Sequence, residues 1–579
     1  MMYSNKDNVN LLTSLLAAHG VRHAVVCPGS RNAPVVHNLD AHPQIVCHPV
    51  TDERSAGFYA LGMAQTLGAP VAVCVTSGTA LLNLAPAVAE AYYQHVAMVV
   101  VSADRPQEWI GQLDGQTLRQ DGALNRWMNV SVCLPEKVDS DSCRWYCGRL
   151  LNEALLGTRF PQPGPVHINV PIAEPLFDFS CPRLPEARPV VRYEERGPSL
   201  AALEMMAGEW RDARRPMVVL GQHVEAAGHE VREAVRQLAR DSVVLSEPLT
   251  TLCPTVRRVD EALVMAGDDD GLLPDYILYV GDMLVSKRLR AFLRRAENAH
   301  VTMVCPDGEI HDTTTRLDRL VKAGAAETLV ALCSHCQQKE REDAAIWQTS
   351  RQRHQPFLER WRSLLRSADA VVDSFEPPFS QMAAVRYFHQ QLEDMEYDYV
   401  LHYANSSAVR QANLYSQSFV FCNRGVNGIE GSLSTAAGCS VVYEGIVFCV
   451  IGDLSFFYDQ NALWNQNLRG NLRIILLNNG RGGIFGQLPG LEQSPAADRL
   501  VSAAHHTTAQ GICAQNDVGY LKASNMAEMQ VGIVSLLTGR RDRPVVLEVF
   551  TDAAADRLSL KALHQQLGKA NPLKSSEGV

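Results

Sequence analysis

Two loops in the last third of the chain carry the residue types of a divalent-cation and phosphate site. Gly452-Asp453-Leu454-Ser455 follows an apolar run at 446–451, and Asn478-Asn479-Gly480-Arg481-Gly482-Gly483 follows another at 473–477. Asp453 and Asn479 lie 26 positions apart. A helix expected over about 459–468 and the strand at 473–477 fit between them, so both side chains emerge at the same sheet edge. A carboxylate, an amide oxygen and a loop carbonyl, that of Arg481, are hard oxygen ligands. They suit Mg²⁺ (or Mn²⁺), which keeps the rest of its octahedron for phosphate oxygens and water. Gly452 lets the backbone approach a diphosphate, and the helix start adds amide donors. The competing reading is an ordinary strand-turn-helix, in which Gly-Asp and Asn-Gly are common turn residues.

A second acid of interest is Glu53, in His48-Pro49-Val50-Thr51-Asp52-Glu53-Arg54-Ser55, between a strand at 44–47 and a small-residue helix at 55–65. On its own, an acid at a helix start is a dipole-stabilising charge.

These residues need sheets to position them, and the pattern of the chain supplies sheets. Val9, Leu12, Leu15 and Leu16 share one helical face, with Gly20 as C-cap. Strand-like runs follow at 24–27, 71–75, 98–101 and 166–170, apolar at nearly every position, as in parallel sheets covered on both faces. A connector at 181–200 holds Pro182, Pro185, Pro189 and Pro198 among charged residues. A second series runs through 217–221, 276–280 and 301–304 into a polar helical stretch at 337–366. After a connector at 374–380 with Pro377-Pro378, strands are expected at 399–402, 446–451, 473–477 and 545–549. The expectation is an α/β fold of three doubly wound parallel-sheet domains, over 1–182, 200–366 and 380–579, with ligands at the carboxyl ends of the strands. Fold alone leaves the function open.

Composition narrows the classes. The 579 residues are 46% hydrophobic and 20% charged with net charge −10, and no Lys/Arg cluster exceeds a few residues. Nucleic acid and anionic membranes are therefore not expected as partners. The apolar runs stop well short of the roughly 18 residues of a membrane-spanning helix. Ser4-Asn5-Lys6-Asp7 replaces the apolar core of a signal peptide, which reads as cytoplasmic. The 15 cysteines are odd in number and irregular in spacing, so no disulfide framework is expected. Cys74, Cys305 and Cys449 read as small hydrophobes in apolar strands. Cys333 and Cys336 form a CxxC without a second pair at zinc spacing, on what reads as an ordinary helix.

Further motifs occur in order: Pro28-Gly29-Ser30-Arg31, Asp52-Glu53-Arg54, Thr76-Ser77-Gly78-Thr79-Ala80, Ser102-Ala103-Asp104-Arg105-Pro106, Asn423-Arg424-Gly425 with Gly428-Ile429-Glu430-Gly431, and Leu433-Ser434-Thr435-Ala436-Ala437-Gly438. With the two phosphate-site loops, this set resembles the thiamine-diphosphate (ThDP) enzymes. Within them it resembles the 2-succinyl-5-enolpyruvyl-6-hydroxy-3-cyclohexene-1-carboxylate synthases of menaquinone biosynthesis. The likeness covers both terminal domains and, in the middle one, chiefly Ser286-Lys287-Arg288. Leu454 stands where the GDG signature has its second glycine, and Gly115 where the family loop usually carries Asn.

The resemblance implies a pyrimidine-binding domain first and a diphosphate-binding domain last, meeting across a subunit interface in a homodimer or homotetramer. It implies decarboxylation of 2-oxoglutarate and transfer of the carbanion to isochorismate. Glu53 would stand beside N1′ of the aminopyrimidine, in apolar surroundings that raise its pKa. Asn405, Ser406, Ile429, Gly452, Asp453, Leu454, Ser455, Asn479, Ile484 and Phe485 would line the cofactor. Ile429 would prop its bent form, and Ile484 and Phe485 would form a dry wall. Arg410, Arg424 and Ser406 would hold the distal carboxylate of 2-oxoglutarate. Ser30, Arg31, Arg105, Gln116 and Lys287 would hold isochorismate, with Gln116 also counted among the catalytic residues beside Glu53 and Ile429. Arginine's planar fork suits carboxylates; taken singly, each would read as a surface or ion-pair residue. Two rivals stand beside this reading. An acetohydroxyacid synthase or simple 2-oxo acid decarboxylase would handle small neutral side chains and need fewer cations. A non-catalytic ThDP-fold subunit or nucleotide-binding regulator would have no use for Glu53, Asp453 and Asn479 together.

Overall fold

Strand-length runs that are apolar at every position need cover on both faces, and successive side chains along a strand point to opposite faces. The computed structural model, which describes residues 2–253, 258–488, 490–539 and 541–573, meets that need with three parallel sheets. The first has six strands in the spatial order Val46–Pro49, His23–Val26, Val71–Val75, Met98–Asp104, Pro165–Pro171 and Val130–Cys133. The last repeats that order of connection with Val420–Phe421, Tyr399–Tyr403, Ile446–Gly452, Leu472–Asn478, Val545–Phe550 and Gly519–Ala523. The five-stranded middle sheet runs Val243–Ser246, Pro216–Leu220, Tyr276–Val280, His300–Val304 and Leu317–Val321. In each sheet the chain order reverses between the first and third strands to form. The helices following those two strands leave on opposite sides and open a crevice at the carboxyl ends.

In the first and middle sheets the two faces feed different cores, whereas both faces of the last sheet join one cluster. Val25, Val73 and Val100 of the first sheet join a cluster that continues through Met217 and Val219 to Phe448 and Leu547. Their chain neighbours Ala24, Ala72, Val99 and Val101 pack on the opposite side against the helix Asp7–Ala18. Val218 and Leu220 likewise face a separate cluster with Trp210 and Trp347. One continuous apolar body thus runs through all three sheets.

The connectors expected between them are irregular: no helix or strand occurs over 182–199 or 375–380. The polar stretch before the second connector forms two helices, Ala325–Glu342 and the 31-residue Ala344–Ser374. Cys333 and Cys336 lie on the first of these, as expected, and all 15 cysteines are free. Cys305 lies just beyond the strand His300–Val304 rather than within it. Among the described residues, no helix is long and apolar enough to cross a membrane.

Two elements around the candidate site differ from expectation. The helix after Gly452 spans Asp453–Tyr458, with a short 3-10 turn at Gln460–Leu463, instead of about 459–468. Asp453 enters at the first helical position, where its charge meets the helix dipole. The segment beyond is held by the first domain instead: Tyr59 Oη donates to the Ala462 carbonyl at 2.7 Å and Asn467 Nδ2 to that of Pro49 at 2.8 Å. The helix carrying Glu53 spans Glu53–Leu67, because Asp52 caps it by accepting the Ser55 N–H at 3.1 Å and Gly68 ends it at φ 59°. That helix packs along Ser432–Val442 at a seam with no room for side chains. A Cβ on Gly62 would run into the Thr435 carbonyl, and one on Gly438 into the backbone of Tyr59.

Candidate active site

A cleft of about 390 Å³ opens at the carboxyl edge of the last sheet, beyond the ends of the paired strands Tyr399–Tyr403 and Ile446–Gly452. Its volume falls within the range of small-molecule sites. Asn405, Ser406, Arg410, Arg424, Ile429, Gly452, Asp453, Leu454, Ser455, Asn479, Arg481, Ile484 and Phe485, all named in the sequence analysis, line it together, and Lys287 joins them from the middle domain.

Asp453 sits at the cleft's base, 4% exposed. Its Oδ1 accepts the Leu454 N–H at 2.7 Å, and Oδ2 accepts those of Asn479 at 3.1 Å and Arg481 at 3.2 Å. Burial pushes its carboxyl above the usual range, while the Leu454 and Arg481 N–H groups and nearby His505 pull it back. Asn479 donates Nδ2 to Asp556 Oδ2 at 3.0 Å, which leaves its amide oxygen as the free end. Arg481 pairs its side chain with Asp498 at 2.6 Å, so any contribution to a cation comes from its backbone carbonyl. A Cβ added to Gly452 would meet nothing within 4 Å, so the strand end faces open space. A buried carboxylate, an oriented amide oxygen and a loop carbonyl beside an open strand end fit a Mg²⁺-diphosphate group.

Asp556 was not anticipated. It also accepts the Gln381 N–H at 2.8 Å and the Thr551 hydroxyl at 3.1 Å, so it orients Asn479 from a fixed position. Outer-shell partners of this kind are worth roughly 10–100-fold in metal affinity. Asp556→Ala is therefore expected to weaken Mg²⁺ binding about 10–100-fold in a calorimetric titration; unchanged affinity would remove Asp556 from the site.

The same cleft is also lined by cations. Arg410 Nη1 donates to the Ser406 carbonyl at 2.5 Å. Arg424 reaches Asn405 Oδ1 at 3.3 Å and Met283 Sδ at 3.8 Å, and its buried Nε has no partner among the described residues. Burial lowers the pKa of both guanidinium groups from the usual arginine value, and for Arg410 the neighbouring Arg424 adds to the effect. Arg290 also lines the cleft and donates to the Leu284 carbonyl at 2.8 Å. It is three residues after Lys287 on the helix Lys287–Arg295, a spacing that puts both on one face, and the sequence analysis did not single it out. Among the described residues, none of Lys287, Arg290, Arg410 and Arg424 forms an ion pair with a carboxylate. Ser406 itself holds φ 71°, an uncommon conformation for a residue with a side chain and one often found at ligand clamps. Ile429, Ile484, Phe485 and Leu477 supply the apolar part of the lining.

The remaining sequence candidates lie elsewhere in the chain. Ser30, Arg31, Glu53, Arg105 and Gln116 cluster at the carboxyl edge of the first sheet, and no described residue of 1–182 lines the cleft. The apolar enclosure expected for Glu53 is missing within one chain: it is half-buried, with Asn83 Nδ2 at 3.4 Å. Arg31 is 7% exposed, donating to the Ile172 carbonyl at 3.0 Å and Glu174 at 3.3 Å. Arg105 lies 3.5 Å from Asp114 and donates to the Gly115 carbonyl at 3.1 Å. A Cβ on Gly115 would meet nothing within 4 Å, so the glycine there is not forced by space. Ser30 and Gln116 are exposed, and Gln116 adopts φ 55° where its backbone covers Gly78. Beneath this loop Gln120 accepts the Gly78 N–H at 2.6 Å and donates to Asn169, a support the sequence reading missed.

Residues 7–124 match the family described as thiamine pyrophosphate enzyme, N-terminal TPP binding domain. The chain is 42% identical to the 2-succinyl-5-enolpyruvyl-6-hydroxy-3-cyclohexene-1-carboxylate synthase of Bacteroides fragilis, over 98% of this chain and 100% of the relative. Proteins of the same name from Bacteroides thetaiotaomicron and Phocaeicola vulgatus are 40% and 38% identical, each over 98% of this chain and 100% of the relative.

Proposed function

The chain belongs to the 2-succinyl-5-enolpyruvyl-6-hydroxy-3-cyclohexene-1-carboxylate synthase family, and we propose that it joins 2-oxoglutarate to isochorismate with loss of CO₂, using ThDP and Mg²⁺ (or Mn²⁺). The observation that carries this reading is one cleft lined both by four cations that pair with no carboxylate among the described residues and by the buried Asp453. Both substrates are dicarboxylates, and such a lining suits them. The small neutral side chains handled by an acetohydroxyacid synthase would leave those cations unmatched.

When bound, ThDP supplies the carbon that takes up the electron pair released with CO₂. The protein's residues do the rest of the work. Asp453, Asn479 Oδ1 and the Arg481 carbonyl would hold the cation, and Gly452 gives the diphosphate room. Arg410 and Arg424 grip the distal carboxylate of 2-oxoglutarate, which leaves its 2-oxo end toward Gly452 and Asp453. Ile484, Phe485 and Leu477 exclude water, and a carboxylate about to be lost is less stable in dry surroundings. Lys287 and Arg290 meet the acceptor from the middle domain. Glu53 holds a proton at the aminopyrimidine, and it comes from a second copy of the chain along with Ser30, Arg31, Arg105 and Gln116. The exposure of Ser30 and Gln116, the half-burial of Glu53 and the absence of described residues of 1–182 from the cleft support that exchange. Fifteen free cysteines suit the reducing cytoplasm.

Incubation with 2-oxoglutarate, isochorismate, ThDP and Mg²⁺ should yield the succinyl adduct by mass analysis; CO₂ release without that mass would favour a simple decarboxylase. Substitutions should separate the substrates. Arg410→Ala or Arg424→Ala is expected to raise KM for 2-oxoglutarate roughly ten- to a hundred-fold, from the loss of about 1.5–3 kcal/mol of charged hydrogen bonding. Arg31→Ala or Lys287→Ala should act on isochorismate instead. Steady-state kinetics with each substrate varied in turn gives the pattern. Equal weakening of both substrates by all four variants would refute the donor and acceptor assignments.

A further inference from the structure

The loop that carries Arg424 is fastened from two other domains. Glu90, on the helix Ala85–Tyr93 of the first domain, is 3% exposed. Its Oε1 accepts the Gly425 N–H at 2.6 Å and its Oε2 that of Val426 at 2.8 Å. Gln94, one turn along, donates Nε2 to Glu90 Oε1 at 2.5 Å and accepts from Gln222 of the middle domain at 3.2 Å. Gln222 Nε2 also reaches the Cys422 carbonyl at 3.3 Å. The backbone is thus held on both sides of Asn423-Arg424. Gly425 lets the helix lie directly on the loop, since a Cβ there would stand 2.9 Å from the Glu90 carbonyl and 3.0 Å from Tyr93 Cβ.

A buried carboxylate is a costly way to hold a loop unless its charge is matched. Two successive N–H groups converging on one carboxylate supply part of the match, and they give shorter, stronger bonds than a neutral acceptor would. Glutamine could accept only one of the two N–H groups, because its other terminal atom is a donor. What the clamp adjoins is a buried guanidinium with an Nε unpartnered among the described residues, aimed into the cleft.

We infer that Glu90 is a positioning residue for donor selection: from the first domain it fixes the backbone that aims Arg424 at the distal carboxylate of 2-oxoglutarate. The inference rests on the reading that Arg424 meets that carboxylate. It also gives the first domain a role in its own chain's cleft, separate from the Glu53 it lends to a second copy.

The test is steady-state kinetics and ThDP titration of the Mg²⁺-loaded enzyme carrying Glu90→Gln, Arg424→Ala, or both. Glu90→Gln is expected to raise KM for 2-oxoglutarate about ten- to a hundred-fold. The kcat, the KM for isochorismate and the ThDP affinity should each stay within about twofold, which general damage to the fold would not allow. Added to Arg424→Ala, Glu90→Gln should cost less than about twofold more, because the two act as one unit. A uniform loss across all four parameters, or full additivity in the double variant, would overturn the positioning role. If Arg424→Ala shifts KM and Glu90→Gln does not, the positioning role alone falls. If Arg424→Ala leaves KM unchanged, the donor assignment falls first, and the inference with it. Where Glu90→Gln does not fold, Glu90→Asp, which keeps the charge and shortens the reach, is judged by the same parameters.

Discussion

Replacing Asp453 with alanine is expected to abolish metal-dependent ThDP binding. Asp453 is the anionic member of the proposed ligand set; Asn479 and the Arg481 carbonyl are neutral. Mg²⁺ gives up its water reluctantly, and two neutral oxygens beside a diphosphate offer little to replace the lost charge. The substitution also strips an acceptor from the N–H groups of Leu454, Asn479 and Arg481. Each buried donor left without a partner costs about 1–3 kcal/mol, so the loops around the cation lose their shape as well as their charge. Asp453→Asn separates the two effects, because an amide oxygen still accepts some of those N–H bonds. Calorimetry should show no measurable Mg²⁺-dependent ThDP binding for the alanine variant and a severe loss for the asparagine variant. Wild-type affinity in Asp453→Asn would remove the charge, and with it the metal role, from this residue.

The second large effect is expected at Glu53. Glu53→Gln should slow turnover by about 10²–10⁴-fold, the usual worth of a positioned general acid-base group, and leave ThDP binding nearly intact. The fold should tolerate the change well. Asp52 caps the helix and Arg54 anchors it, donating to the Tyr458 carbonyl at 2.8 Å and stacking 4.6 Å over the Tyr458 ring. Glu53 takes part in neither contact, so its loss reads out chemistry rather than stability. Single-turnover kinetics with cofactor saturated would show the defect, and near-normal rates would sink the assignment.

Much of the scaffold was legible because its signals are local. Apolar runs such as 71–75 and 446–451 are too uniformly apolar for half-exposed strands, and they became central strands of parallel sheets. Gly452-Asp453 and Asn478-Asn479 were legible for the same reason: each follows a strand, so the spacing alone brings them to one edge. The parts that were not legible depend on contacts between distant segments. Asp556 lies 77 positions from Asn479 and Glu90 lies 335 from Gly425, and no pattern near either residue announces its partner. The displaced helix after Gly452 has the same cause, since Tyr59 and Asn467 bonds tie 459–467 to the first domain. Arg31 shows the converse. Its motif marks it as a ligand-facing residue, yet within one chain its guanidinium is already engaged by Ile172 and Glu174.

The glycine seam between Glu53–Leu67 and Ser432–Val442 has a mechanical consequence. With Gly62 against the Thr435 carbonyl and Gly438 against the Tyr59 backbone, main chain rides on main chain, and sliding by even one residue would drive a side chain into a peptide group. Close-packed interiors yield in jumps and do not shear smoothly. The first and last sheets of a chain therefore travel as one rigid piece, and a substrate cannot enter by prising them apart. Any widening of the cleft would therefore have to come from outside the seam, as at the turns after Gly480.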